Sequence, residues 1–205
     1  MELKNYWDNF YKSKFNLLPS QFAVFVANEY PEKKSLIDFG CGLARDTIFF
    51  KKFYENVIGI DSSSQAINLN KNLEKSFKNL TFLLNDLSNV QSLVNVIQKT
   101  LKDVENSIFY ARFFLHAIDE NVENNFLNIY KFLKTNNSLL AVEFRTIEDR
   151  NLKKEFGNHY RRFIDPNQFI SKLNTLGISV IYFREGQGFA KYKSDDAYVA
   201  RLILS

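Results

Sequence analysis

The sequence predicts an α/β chain wound around a mostly parallel sheet, on three observations. Apolar runs of strand length alternate with segments of helical period. The run LIDF (36–39) ends in a Gly-x-Gly turn, and the helical segment after it leads to a second run, VIGID (57–61), closing on Asp61. The last two runs, ISVIYFREG and AYVARLILS, follow one another with only a polar loop between them. Such alternation lays parallel strands side by side with helices on both faces, and two strands in succession add an antiparallel C-terminal strand. At 205 residues, 45% of them apolar, the chain is long enough for one such domain. No linker or internal repeat divides residues 1–205.

Residues 1–34 read as a helical cap. Tyr6, Trp7, Phe10 and Tyr11 share one face of a helix that packs on the sheet. Pro19-Ser20 interrupts it, Ser20 caps a second helix running to Tyr30, and Pro31 leads into the first strand. Gly40 and Gly42 let the backbone approach a ligand closely, and Cys41 between them must be small to pack. The helix ARDTIFFKKF then opens with Asp46 in or beside its first turn. Two phosphate binders are excluded here. A dinucleotide fingerprint has glycine where this chain has Arg45, and no Gly-Lys-Ser/Thr follows to make a P-loop. A carboxylate in the first turn repels pyrophosphate and suits a cationic group. Asp61 can accept from both hydroxyls of a ribose, so the expected ligand is an adenosine compound without phosphate.

Ser62 to Ser64 are N-cap candidates for the helix QAINLNKNLEKSF. The third strand, LTFLLND, ends at Asp86, which can cap VQSLVNVIQKTLKDV. SIFYARFFLHAI is the fourth strand, and Asp119-Glu120 opens a helix running to Lys134. SLLAVEFR is the fifth, with Glu143 and Arg145 near its C-terminal end. Residues 146–165 break the rhythm: they are highly charged and set His159, Tyr160, Arg161 and Arg162 beside Phe163-Ile164. Guanidinium groups grip phosphate or carboxylate through paired hydrogen bonds, so this insertion reads as a substrate lid rather than a plain solvated loop. Asp165 caps the last helix, with Pro166 in its first turn and Gly177 at its end.

The segment DFGCGLARD (38–46), followed by GID (59–61), resembles motif I and the acid after the next strand in class I methyltransferases that use S-adenosylmethionine. The resemblance implies a Rossmann-like, doubly wound, seven-stranded sheet with one antiparallel C-terminal strand. It implies S-adenosyl-L-methionine as cofactor and S-adenosyl-L-homocysteine as product. Asp38 would then order the amino end, Gly40 and Gly42 line the methionine part, and Asp46 lie near its ammonium. Asp61 would take the ribose, with Ser62, Asp86 and the backbone N–H of Leu87 at the adenine. Tyr6 or Tyr11 would close over the cofactor, as YW-x-x-x-Y segments do in related small-molecule enzymes. RFFLH (112–116) is similar to the R-x-x-L-H pattern of such enzymes, which implies Arg112 and His116 at the rim of the reaction pocket, Arg112 within reach of cofactor or acceptor. EGQGFAKY and DDAYVARLI resemble the tail of methyltransferases from bacterial surface-polysaccharide (capsule) gene sets, implying Glu185 and the loop to Lys191 near the pocket mouth. The chain departs from the motif at Arg45, where a small residue is usual and a pairing with a neighbouring acid is expected.

Because a sulfonium brings its own leaving group, such an enzyme must align the acceptor, exclude water and, for a hydroxyl acceptor, remove a proton. His116 and His159, the two histidines, are the candidate bases. Arg112, Arg145, Tyr160, Arg161 and Arg162 are the candidate acceptor-binding residues, and arginines beside the histidines would keep them neutral and able to accept a proton. The acceptor expected is small and anionic, a phosphorylated or nucleotide-linked sugar or a capsule-modification intermediate. An uncharged hydroxyl metabolite and a non-catalytic cofactor-binding subunit are the alternatives. A net charge of +4 without a dense basic block makes no case for nucleic acid. No apolar run reaches membrane-spanning length, MELKNYWDNF is no signal peptide, and a single cysteine suits a reducing cytoplasm. A fourth strand ending in Phe-Leu-His argues against a metal site, and a monomer or homodimer is expected.

Overall fold

A computed structural model describes residues 18–101, 104–155 and 160–205. Seven strands make one sheet: β1 (Ser35–Phe39), β2 (Asn56–Asp61), β3 (Leu80–Leu84), β4 (Ser107–Arg112), β5 (Leu139–Arg145), β6 (Val180–Gly186) and β7 (Val199–Leu204), in the order β3-β2-β1-β4-β5-β7-β6. β7 runs antiparallel to both its neighbours, and the pairs from β3 across to β5 are parallel. The helices are α1 (Gln21–Glu29), α2 (Arg45–Phe50), α3 (Ser64–Glu74), α4 (Val90–Thr100), α5 (Glu120–Leu133) and α6 (Pro166–Thr175).

The central strands are apolar on both faces because both faces are covered. Every residue of β1, β5 and β7 is buried. Alternate residues feed two cores. Ile37, Phe39 and Phe109 meet Leu93 and Ile97 of α4, Phe126 and Tyr130 of α5 and Phe169 of α6 on one side. Leu36, Tyr110 and Val57 meet Phe22 and Val26 of α1, Phe50 of α2 and Ile67 of α3 on the other. Side-chain N-caps fall at Ser20, Ser63, Asp119 and Asp165 as expected, each accepting from a backbone N–H of the first turn.

Three element readings change. Asn89, not Asp86, caps α4, because β3 stops at Leu84 and leaves room for a turn before the helix. The helix after the glycine turn is only six residues long. β4 ends at Arg112, where Phe113 takes a left-handed φ of 55° and donates its N–H to Glu143 O at 2.8 Å; the Leu-His-Ala that followed in the strand reading forms a 3₁₀ turn. From β1 the chain winds outward through β2 to β3, then returns to wind the other way through β4 and β5. The C-terminal ends of β1 and β4 thus flank the point where the winding reverses, the place in an open α/β sheet where ligands lie.

Candidate cofactor and acceptor site

The turn after β1 is tied down from below and from the side. Gly40 and Cys41 donate their N–H groups to Ile60 O at 2.8 and 3.0 Å, and Gly42 O accepts from Asn70 Nδ2 at 2.7 Å. Gly40 and Gly42 have φ of 73° and 51°, left-handed values that glycine adopts without strain. The sequence read Gly40 as room for a ligand, but the structure gives that room to an aromatic ring as well: a Cβ there would lie 2.7 Å from Phe114 Cδ2. Cys41 is buried with its sulfur against Gly59, consistent with a packing role.

Three carboxylates surround this turn, and their partners differ. Asp61, at the end of β2, receives the N–H of Gly42 on Oδ2 at 2.9 Å and that of Ser63 on Oδ1 at 2.8 Å. Those bonds fix its plane across the strand end. Asp46 receives the Ser20 N–H at 2.8 Å, the Ser20 hydroxyl at 2.6 Å, the Tyr110 hydroxyl at 3.0 Å and Arg45 Nε at 3.1 Å. Burial works against its charge, but Arg45, Arg112 and the Ser20 donors outweigh burial and hold the carboxyl below its ordinary range. Asp46 therefore clamps α1 onto the glycine turn, where the sequence suggested a partner for a ligand ammonium. Arg45 pairs with that acid, as its departure from the motif implied. Asp38, at 3% exposure, has one hydrogen bond among the described residues, from Thr47 Oγ1 at 2.6 Å.

At the adenine corner, Ser62 is half-buried and Asp86 is exposed. Leu87 is buried with φ of 63°, and its N–H donates to Asn85 Oδ1 at 2.7 Å, so a ligand ring would have to compete with Asn85 for it.

On the other side of the reversal point, cations are held by acids. Glu143 of β5, fully buried, accepts Arg112 Nε at 2.8 Å on one oxygen and Arg201 Nε on the other. Burial opposes the charge of Arg112, and Glu143 and Asp46 more than compensate. The Arg112 guanidinium lies 4.2 Å from the Phe113 ring centroid, an arrangement that fixes its plane while its terminal amino groups make no hydrogen bond to the described residues. The side chain is 16% exposed.

The other candidate residues fall in several surroundings. Arg145, expected to meet the acceptor, is 5% exposed and bridges Asp149 and Asp195 at 2.7 Å each. Arg162 pairs with Glu123 and donates to Leu115 O. It lines, with Lys172, Phe163 and Gln168, a cavity of about 320 Å³ between α5 and α6. Tyr160 is 44% exposed and Arg161 half-buried. His116 is buried, its ring 5.0 Å from that of Phe113, and its Nδ1 accepts the Arg145 N–H at 3.2 Å. A neutral imidazole accepting at Nδ1 carries its proton on Nε2. Tyr6, Tyr11 and His159 lie outside the described residues. Glu143, which orients Arg112, was visible only as an acid near a strand end; its pairing with Arg201 needed the β5–β7 register. Among the described residues, no group of three or more His, Cys, Asp or Glu side chains could hold a metal ion, and no helix is long and apolar enough to cross a membrane.

No family model matches the chain. A probable S-adenosylmethionine-dependent methyltransferase of Saccharomyces cerevisiae is 27% identical over 94 residues, a match spanning 40% of this chain and 32% of the yeast protein. A SAM-dependent methyltransferase from Anabaena variabilis has a TM-score of 0.71 at 19% identity, covering 98% of this chain and 92% of that one. Magnesium protoporphyrin IX methyltransferase from Synechocystis, with S-adenosylhomocysteine bound, has a TM-score of 0.61 at 16% identity, covering 89% and 78%. The two structural neighbours cover most of this chain at under 20% identity, which shows the architecture alone. The chain has the Rossmann-like fold of S-adenosylmethionine-dependent methyltransferases, with its glycine turn at the reversal point of the sheet.

Proposed function

We propose that the chain is an S-adenosylmethionine-dependent methyltransferase acting on a small molecule. One observation carries the reading: Asp61, oriented by two backbone N–H groups, faces a glycine turn whose following helix opens on carboxylate Asp46 instead of a phosphate cradle. That donor and acceptor set fits a ribose and a cationic amino-acid group and opposes a diphosphate. Asp61 would hold the ribose hydroxyls, Ser62 and Asp86 would flank the base, and Asp38 would face the amino group. The cofactor supplies an electrophilic methyl on a sulfonium. The chain's own residues then exclude water and hold the acceptor in line. In support, the yeast and cyanobacterial relatives carry this activity in their names.

For the acceptor we propose an anionic group held by the terminal amino groups of Arg112, with Tyr160 and Arg161 on a lid formed by residues 146–165. A phosphorylated or nucleotide-linked sugar, including a capsule intermediate made in the cytoplasm, has that chemistry. The ion pairs of Arg145 and Arg162 favour a second reading, an uncharged hydroxyl acceptor with those arginines structural. Calorimetry with S-adenosylhomocysteine tests the first step, and no binding at millimolar ligand removes the enzyme reading. Arg112→Lys keeps the charge and loses the fork. With sugar phosphates as trial acceptors, it should cut turnover at least about 10-fold while homocysteine-adduct affinity is unchanged. Equal turnover in the variant would favour the uncharged acceptor.

A further inference from the structure

We propose that Asp38 holds a proton in the free protein and releases it when a ligand's ammonium group enters the glycine-turn crevice, so that binding of an amino-acid-bearing adenosine ligand is coupled to proton release. The proposal rests on the cofactor reading above and adds to it a chemical condition for occupancy.

The geometry distinguishes Asp38 from its two neighbours. Asp46 has three neutral donors and a guanidinium, and Asp61 has at least two peptide N–H groups. Among the described residues Asp38 has a single hydroxyl donor, Thr47, and no ion pair, and it is buried near the C-terminal end of β1. An ionised carboxylate so placed lacks both the water and the hydrogen bonds that would offset desolvation. Its surroundings add to the cost. Asp46 from α2 and Asp61 from β2 both place negative charge toward it, and Arg45, which opposes them, is engaged with Asp46. Among the described residues the remaining titratable neighbours are Cys41 in the turn and Tyr110 on β4, each pushed up chiefly by burial and neutral at pH 7. Burial first, then Asp46 and Asp61, lift the Asp38 carboxyl to about 8 against the opposing pull of Thr47 and Arg45. A ligand ammonium beside it supplies the missing cation and restores the charged form; the displaced proton passes to solvent. Both S-adenosylmethionine and S-adenosylhomocysteine carry that ammonium. 5′-Methylthioadenosine keeps the nucleoside and lacks the amino-acid end.

Titration calorimetry at pH 7 in two buffers of different ionisation enthalpy reads the proton directly. S-adenosylhomocysteine should release roughly 0.9 proton per ligand, from a carboxyl near 8 that becomes ionised. 5′-Methylthioadenosine should release close to none, and Asp38→Asn should abolish release with the homocysteine adduct. The wild-type protein gives a second reading if that variant does not fold. Affinity for S-adenosylhomocysteine should rise about 10-fold per pH unit between pH 6 and 7.5, while that for 5′-methylthioadenosine stays level. Binding of S-adenosylhomocysteine without proton release, or with a level pH profile, overturns the proposal and leaves the cofactor reading standing. Failure of both adenosine ligands to bind overturns that reading, and the proposal with it.

Discussion

The glycine-turn side of the sheet and the arginine-rich side solve opposite electrostatic problems. Around the turn, acids outnumber cations among the described residues: near Asp38, Asp46 and Asp61 stand Arg45, paired with Asp46, and Arg112, which also favours the charge of Asp46. Beyond β4 the excess disappears, because Arg112 and Arg201 close on Glu143, Arg145 on Asp149 and Asp195, and Arg162 and Lys172 on Glu123. A cluster left with unbalanced charge is poised for a ligand of the opposite sign. One whose charges close on each other holds the scaffold, Arg112 apart, since its terminal amino groups bond none of the described residues. The amino-acid sequence shows both kinds of residue and conceals which kind of balance each will find.

The contrast can be broken most forcefully at Arg145. Arg145→Met would remove the ion-pair partner of buried Asp195 and leave buried Asp149 with Lys154, and these two carboxylates also anchor Tyr198 N–H and Glu155 N–H. Chemical denaturation should show a loss of about 3–5 kcal/mol, and a loss under about 1 kcal/mol would mean that the pair is not holding the insertion to the β6–β7 loop. On the turn side, Asp61→Ala should weaken S-adenosylhomocysteine about 10- to 100-fold, the equivalent of a charged hydrogen bond or two. Arg162→Ala should leave that affinity unchanged. The reverse pattern in calorimetry would exchange the roles of the two regions.

The smallest expected effect sharpens the comparison through pH. The folded carboxyl of Asp38, near 8, lies above the ordinary value of the unfolded chain. Its stabilising contribution is fully present below the unfolded value and is lost as pH rises toward and through 8. Asp38→Asn cannot ionise, so relative to wild type it should gain at least about 1 kcal/mol between pH 5 and pH 9 in thermal unfolding of the ligand-free protein. A constant difference between the two proteins would place water or a cation beside Asp38.

Local chemistry was legible where it is decided locally. Ser20, Asp119 and Asp165 announce helix starts through their own side chains, and LIDF and VIGID announce buried strands through unbroken apolar runs. Two features were not, for different reasons. Arg145 meets Asp195 across fifty positions of chain, a contact set by how the β6–β7 loop folds over β5 and not by any spacing. The end of β4 was overrun because Phe113 and Phe114 continue the apolar pattern. A left-handed turn at a bulky residue runs against preference and is held by the Glu143 carbonyl and the flanking Arg112. His116 shows the limit for sites: its presence near a strand end was readable, and the tautomer that decides its chemistry depends on the Arg145 peptide.

The ring of Phe114 seated over Gly40 has a practical consequence for anyone screening variants of this chain. A side chain at position 40 would be expelled by the phenyl group whatever does or does not bind above it, and the positive φ adds its own penalty. Inactive substitutions there would report a broken hinge between two strands, not a missing handshake with a cofactor. Genetic sensitivity at the glycine most easily recognised in the sequence is thus a poor witness to ligand contact, and Asp61 is the better one to question.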